Sequence, residues 1–152
     1  NVKSAADMAE AVAARSEASD IVVMCSAVAD YTPTHYSAQK VKKSDGELSI
    51  PLARTTDILH TLGMKKKEGQ MLVGFSMETE NLIENSRKKL SKKNADIICA
   101  NTIADGGATG FAVDTNQVTL ITETEVITLP LCTKEETADL ILSHIVELQK
   151  EK

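Results

Sequence analysis

The sequence predicts a three-layer α/β sandwich with a largely parallel sheet and an antiparallel hairpin at one edge. Short apolar runs at Ile21–Cys25, Met71–Ser76 and Ala95–Asn101 have the length and polar boundaries of buried strands. Segments with helical spacing separate them, so strands and helices alternate up to about Asn101. Beyond that point, Asn116–Ile121 and Glu125–Leu129 flank Glu123-Thr124 as a hairpin does, and a last helical segment follows.

Taken in order, Ser4-Ala5-Ala6-Asp7 has the form of a capping box. It opens a helix to about Arg15 with Ala5, Met8, Ala9 and Val12 on one face. Ile21–Cys25 reads as a fully buried strand, being short and rich in β-branched residues. Turns are expected at Thr32-Pro33 and Ser44-Asp45-Gly46, and Glu47–Ile50 alternates as a half-buried strand does. Thr55-Thr56-Asp57 marks the start of a short helix through Leu59 to about Leu62, closed by Gly63. Lys65-Lys66-Lys67 reads as a solvated charged turn. In the run Met71–Ser76, Gly74 allows a close backbone approach. Thr79 is expected to cap a helix from about Glu80 to Lys93, with Leu82, Ile83 and Leu90 as its inner stripe. Thr133-Lys134-Glu135-Glu136 is a second capping box. It opens a final helix in which Ala138, Ile141, Ile145 and Leu148 face inward and the tail from Lys150 to Lys152 frays.

The 152 residues fit one domain with a real core. A 42% hydrophobic and 26% charged composition argues against disorder. Aromatic residues at 3%, without Trp, and a net charge of −5 exclude an extended nucleic-acid surface. A compact anion held by a few local cations stays compatible with that charge. No apolar run approaches the roughly 20 residues that span a bilayer, and no signal-peptide pattern precedes the domain. No membrane partner and a cytoplasmic location are therefore expected. Cys25, Cys99 and Cys132 are an odd count without CxxC spacing and read as small buried hydrophobes in a reducing compartment. A nucleophilic Cys99 near Asn101 is the competing reading. His35, His60 and His144 are scattered, so no protein-held metal is expected. Asn1 is no initiator Met, and the chain begins within the alternation with no Gly-rich phosphate loop before it. An upstream segment is therefore expected.

The stretch from Val22 to Lys43 organises the functional reading. A strand ends in the small residues Ser26-Ala27-Val28-Ala29, followed by Asp30, and a polar segment leads to Lys40-Val41-Lys42-Lys43. In open α/β sheets ligands sit beyond the carboxyl ends of the strands. Small residues there admit a flat ligand, and an acid and lysines flank it, which is a nucleotide-site arrangement. Lys89 and Lys93 stack four residues apart on their helix, which is mildly unfavourable unless an anion is near. By spacing alone the solvated face is the preferred reading of these lysines. Asp105–Gly110 is Gly-rich but does not open a helix, so it is a weak phosphate cradle.

With these stretches placed, SAVADY, KVKK ten residues after Asp30, TTDIL, GFSMETE, RKKLSKKNADIICAN, TGFAVDTNQVTLI and LPLCTKEE together resemble phosphopantothenoylcysteine synthetase. This family is the phosphopantothenate–cysteine ligase of coenzyme A biosynthesis, and the similarity runs from about Val2 to Ile145. The resemblance implies a Rossmann-like, ribokinase-type fold and a homodimer. It also implies that the chain is the C-terminal part of a ligase domain whose phosphate loop precedes Asn1. The implied substrates are CTP, 4'-phosphopantothenate and cysteine. CTP activates the phosphopantothenate carboxylate as an acyl-cytidylate, and cysteine then displaces CMP. Mg²⁺ is expected on the triphosphate, and FMN only where a decarboxylase domain is fused upstream. Asp30 matches the family's nucleotide-contacting acid, and Lys40 the catalytic lysine of a flap that closes over the phosphate and the acyl intermediate. Thr56, Asp57, Ile58 and Leu59 match a CTP-contacting helix start, Phe75 a residue that frames the cytosine, and Lys89 and Lys93 two CTP-contacting lysines. Thr55-Thr56-Asp57 departs from the family's Asn-Pro-Asp. Phe75 as plain core and Asp30 as a turn residue are the bland alternatives. A non-catalytic nucleotide-binding and dimerisation fragment is the second functional reading. A generic Rossmann-like oxidoreductase is the third, and the absence of GxGxxG counts against it.

Overall fold

Two parallel pairings centre the sheet. The computed structural model describes residues 1–42, 46, 48–102 and 113–150. Lys43, Ser44, Asp45, Glu47, the Gly-rich stretch Asp105–Gly110 and the tail from Glu151 lie outside the described residues. Strand β1 (Ile21–Met24) pairs in parallel with β4 (Met71–Glu78), and β4 with β5 (Ile97–Thr102). The hairpin strands β7 (Val118–Ile121) and β8 (Val126–Thr128) add antiparallel, giving the order β1-β4-β5-β7-β8 among the described residues. Two small antiparallel ribbons stand outside this sheet. One pairs β2 (Tyr31–Pro33) with β3 (Leu52–Arg54), the other β6 (Thr115–Asn116) with β9 (Cys132–Thr133).

Helices α1 (Ala5–Ser16), α2 (Ile58–Lys65) and α3 (Leu82–Lys93) cover one face, and α4 (Lys134–Lys150) covers the other. The three-layer α/β expectation is therefore met, with a parallel centre and an antiparallel edge. Side chains of a strand alternate between faces. Met71 and Val73 accordingly pack with Ile141 and Ile145 of α4, while Leu72 packs with Ile58 and Leu62 of α2. Residues 97–100 of β5 are buried without exception, as a central strand covered on both faces requires. Each large apolar side chain buried in this way contributes about 1.5–3 kcal/mol.

Both capping boxes form. Ser4 and Asp7 exchange side-chain and backbone bonds at the start of α1. Thr133 and Glu136 do the same before α4, at 2.9 and 3.2 Å.

Other expectations are corrected. Among the described residues β1 is an edge strand with Val23 36% exposed, so its apolar run is half-buried rather than fully buried. Thr32-Pro33 belongs to β2 instead of a turn, β2 pairs with Leu52–Arg54, and residues 48–50 lie outside any strand. Leu48 and Ile50 are exposed, so their alternation carried no information about a buried face. Helix α3 starts after Asn81, which holds φ 50°, and not after Thr79; Ile83 faces solvent, and Ser86 is buried instead. In α4, Thr137 rather than Ala138 is buried. The lysine run is not a solvated turn. Lys66 Nζ bonds Asp96 Oδ1 at 3.0 Å with both side chains largely covered, and Asp96 Oδ2 accepts the Leu72 N–H at 2.7 Å. That pair clips α2 to the start of the central strand.

Gly63 does not close α2 but lies within it. A Cβ built there would stand 1.8 Å from the Lys93 carbonyl oxygen at the end of α3. Gly63→Ala is therefore expected to cost about 1–3 kcal/mol, as overpacking does. A lower urea midpoint at unchanged slope checks it, and a midpoint equal to wild type would contradict the contact.

Candidate functional site

The cleft forms where four segments meet at the carboxyl ends of β1 and β4. Ser26, Val28, Ala29 and Asp30 follow β1 and form one wall. Thr55–Leu59, at the start of α2, forms the second. Lys89 and Lys93 reach in from α3, and Phe75 borders the cleft from β4. The cleft encloses about 210 Å³. That is below the range that buries a whole drug-sized ligand, so this surface grips part of one.

Local chemistry fixes each wall. Thr55 N–H donates to the Asp30 carbonyl at 2.9 Å, and its hydroxyl donates to the Ala29 carbonyl at 2.6 Å. These two bonds hold Asp30 against the start of α2. Asp57 caps α2, its Oδ1 accepting the His60 N–H at 3.1 Å. The other carboxylate oxygen of Asp57 accepts from Lys93 Nζ. Burial draws the Lys93 pKa below the ordinary lysine value, against the pull of the Asp30 charge. Lys89 Nζ bonds Glu78 Oε1 at 2.5 Å.

Helix α3 is seated on α2 by three contacts. The Gly63 gap admits the Lys93 carbonyl, Asn94 Nδ2 donates to the Gly63 carbonyl at 2.9 Å, and His60 Nδ1 lies 3.0 Å from the Lys92 carbonyl. A carbonyl only accepts, so His60 carries its proton on Nδ1. Gly74 fits the same packing, because a Cβ there would meet Leu59 Cδ2 at 2.4 Å.

Eight of the nine residues singled out from the sequence line this cleft: Asp30, Thr56, Asp57, Ile58, Leu59, Phe75, Lys89 and Lys93. Lys40 does not. It lies on the exposed stretch between β2 and β3. Phe75 is shared between two settings, since its side chain also packs against the α4-side core. Sequence reasoning missed Met24, Thr55 and Ile98, which also line the cleft. Thr55 had a legible signal as the residue before the helix-start threonine, but its bonds to Ala29 and Asp30 span a loop that spacing cannot bridge.

A family model, the DNA/pantothenate metabolism flavoprotein C-terminal domain, matches residues 1–148. The chain belongs to this family. The chain is 47% identical over 151 residues to the coenzyme A biosynthesis bifunctional protein CoaBC of Bacillus subtilis (strain 168). That alignment covers 99% of this chain and 37% of the relative, so the chain spans little more than a third of its length. Among solved structures, the C-terminal domain of a coenzyme A biosynthesis bifunctional protein CoaBC superposes with a TM-score of 0.79 at 41% identity. It is covered over 65% of its length and this chain over 99%. A Cab2 H337A mutant in complex with phosphopantothenate-cysteine shares the fold at a TM-score of 0.71 and 15% identity, covering 99% of this chain and 52% of its own. The Rossmann-like fold expected of this C-terminal domain family is the one observed.

The three cysteines divide by environment. Cys99 is buried in β5 and its thiol is pushed up to about 12, chiefly by burial and further by the neighbouring Cys25. Cys25 is exposed, which corrects its reading as a buried hydrophobe. Thiolate, not thiol, is the nucleophile, so Cys99 is inert near neutrality. Alkylation of the native chain at pH 8 should modify Cys25 and spare Cys99 until denaturant is added. Modification of Cys99 in the native state, read by peptide mass, would contradict its burial.

Proposed function

We propose that this chain supplies the nucleotide-binding cleft of a CTP-dependent phosphopantothenate–cysteine ligase in coenzyme A biosynthesis. The observation that carries this reading is the meeting of Asp30, the α2 start and the two α3 lysines in one cleft, in a chain of this family. The Cab2 complex, which holds phosphopantothenate-cysteine on the same fold, supports the substrate class.

The reaction in this reading has two steps. A carboxylate oxygen of 4'-phosphopantothenate attacks the α-phosphorus of CTP, and pyrophosphate leaves. The cysteine amine then attacks the acyl carbon, CMP leaves with the bonding electrons, and the amine gives its proton to solvent. Lys89 and Lys93 offset phosphate charge in a partly covered site, where such stabilisation is stronger than in water. Free N–H groups at the start of α2 favour an anion there. Asp30, held by Thr55, accepts from a ribose hydroxyl, and the backbone at Ser26–Ala29 and Phe75 borders the base.

Among the described residues no three His, Cys, Asp or Glu side chains converge to hold a metal ion. Mg²⁺ carried on a triphosphate takes most of its ligands from phosphate and water, and Asp30, as the alternative to its ribose contact, would reach it through a water. FMN belongs, in this reading, to a fused decarboxylase half and not to this cleft. A homodimer is proposed from the ribbon of β2 and β3 and the stretch between them, where Tyr31 and Leu52 on the strands and Tyr36, Leu48 and Ile50 on the stretch expose apolar surface.

Calorimetry on this chain with CTP, ATP and NADH tests the nucleotide reading. CTP binding in preference to the others is expected, and binding of NADH alone would overturn it. Lys40 sits on an exposed stretch outside the cleft and is proposed to reach it as a flap closes. Lys40→Ala in the full-length protein is then expected to lower kcat for ligation by at least tenfold while CTP affinity falls less than threefold, magnitudes on the order of a lost transition-state contact. Equal losses in both would contradict the flap role.

A further inference from the structure

Glu78 ends β4 on the face that also carries Leu72, Gly74 and Ser76, beneath α3. Its side chain is 11% exposed and takes two donors. Lys89 Nζ bonds Oε1 at 2.5 Å, and Asn85 Nδ2 bonds Oε2 at 3.3 Å. Asn85 is itself oriented by the Glu80 carbonyl at 3.0 Å. Glu78 does not line the cleft, yet it holds one of the two ammonium groups that do.

A covered carboxylate beside an anion site opposes the ligand. With Asp30 and Asp57 also present, the carboxylates around the cleft outnumber Lys89 and Lys93, and both ammonium groups are already paired. From these two ammonium groups a phosphate draws charge only in competition with the carboxylate each already holds. Lys93 has 16% of its side chain exposed, whereas Lys89 has 43% and therefore room to turn.

We propose that Glu78 is a positioning residue that competes with the ligand's phosphate for Lys89. It holds the ammonium at the rim of the cleft and yields it as phosphate arrives. It takes the ammonium back as product leaves, so the carboxylate limits affinity and supports release. This inference rests on the phosphate-binding reading of the cleft. The rival role is purely structural, with Glu78, Asn85 and Lys89 clipping α3 to β4. A structural clip and a competitor differ in sign, because breaking a clip does not tighten binding.

The test uses the full chain and two probes, CTP and inorganic tripolyphosphate, titrated into wild type, Glu78→Gln, Lys89→Ala and the double variant. In Glu78→Gln one neutral amide oxygen replaces two charged acceptors, so the hold on Lys89 is weakened. Both probes are expected to bind about two- to fivefold tighter, the scale of a half-exposed charge pair. The gain should vanish in the Lys89→Ala background, and CTP should dissociate more slowly. Unchanged or weaker binding in Glu78→Gln, or a gain that persists without Lys89, overturns the proposal. If wild type binds tripolyphosphate but not CTP and the gain remains, the nucleotide reading fails while the competition stands. If neither probe binds any variant, both fail. Should Glu78→Gln not fold, Glu78→Asp, whose carboxylate falls a methylene short of Lys89, is expected to tighten binding as well. Weakening there overturns the proposal equally.

Discussion

The seating of α3 on α2 is the contact on which the cleft depends. Gly63 has no side chain, and the Lys93 carbonyl occupies the space a Cβ would need. Asn94 turns the chain out of α3 with φ 49° and donates back to Gly63, while His60 holds the Lys92 carbonyl. The end of α3 is thereby brought against α2, and Lys93 meets the Asp57 that caps it. Any residue larger than Gly at position 63 pushes the two helices apart. It would move Lys89 and Lys93 away from Asp30 at the same time. Packing and electrostatics are thus set by one small residue that does not itself line the cleft.

That arrangement explains why clustered like charges are tolerated. Lys89 and Lys93 lie four residues apart on α3, a spacing that costs a few tenths of a kcal/mol on an isolated helix. Here each faces a different carboxylate, Glu78 from the strand below and Asp57 from the neighbouring helix. Neither pair is fully buried, so each contributes modestly to stability. Their larger effect is geometric, since they hold two long side chains at the strand ends. Lys66 and Asp96 do the same structural work at the opposite end of β4, where no cleft residue is involved.

Legibility in the sequence followed the range of the interaction. The apolar runs of β4 and β5 and the capping boxes at Ser4 and Thr133 are local patterns, and the structure keeps them. Asp30, Asp57, Lys89 and Lys93 were named together by the family resemblance, whereas spacing alone favoured a solvated face for the two lysines. What escaped was non-local. Gly63 looked like a helix stop because its partner, the Lys93 carbonyl, is a tertiary neighbour. Lys66 looked solvated because Asp96 lies on another element. Asn81 precedes α3 in a left-handed conformation without a side-chain cap bond, so Thr79 was the more plausible boundary by residue type. Val23 looked like core because an apolar run does not say whether its strand has one neighbour or two.

The position of Lys40 follows from the same double tie at Thr55. The segment that carries Lys40 leaves β2 and returns through β3, and the flanking residues Asp30 and Thr55 are bonded to each other at the cleft wall. Backbone bonds continue that zipper as far as Thr34 and Pro51. The base of the excursion is therefore closed, and movement of its outer part leaves Asp30 and the α2 start where they are. On the proposed flap role, Lys40 would approach or leave the strand ends without disturbing Asp30 and the start of α2. In the proposed reading, binding and closure are then separable, because two bonds from one threonine fix the wall on which the excursion stands.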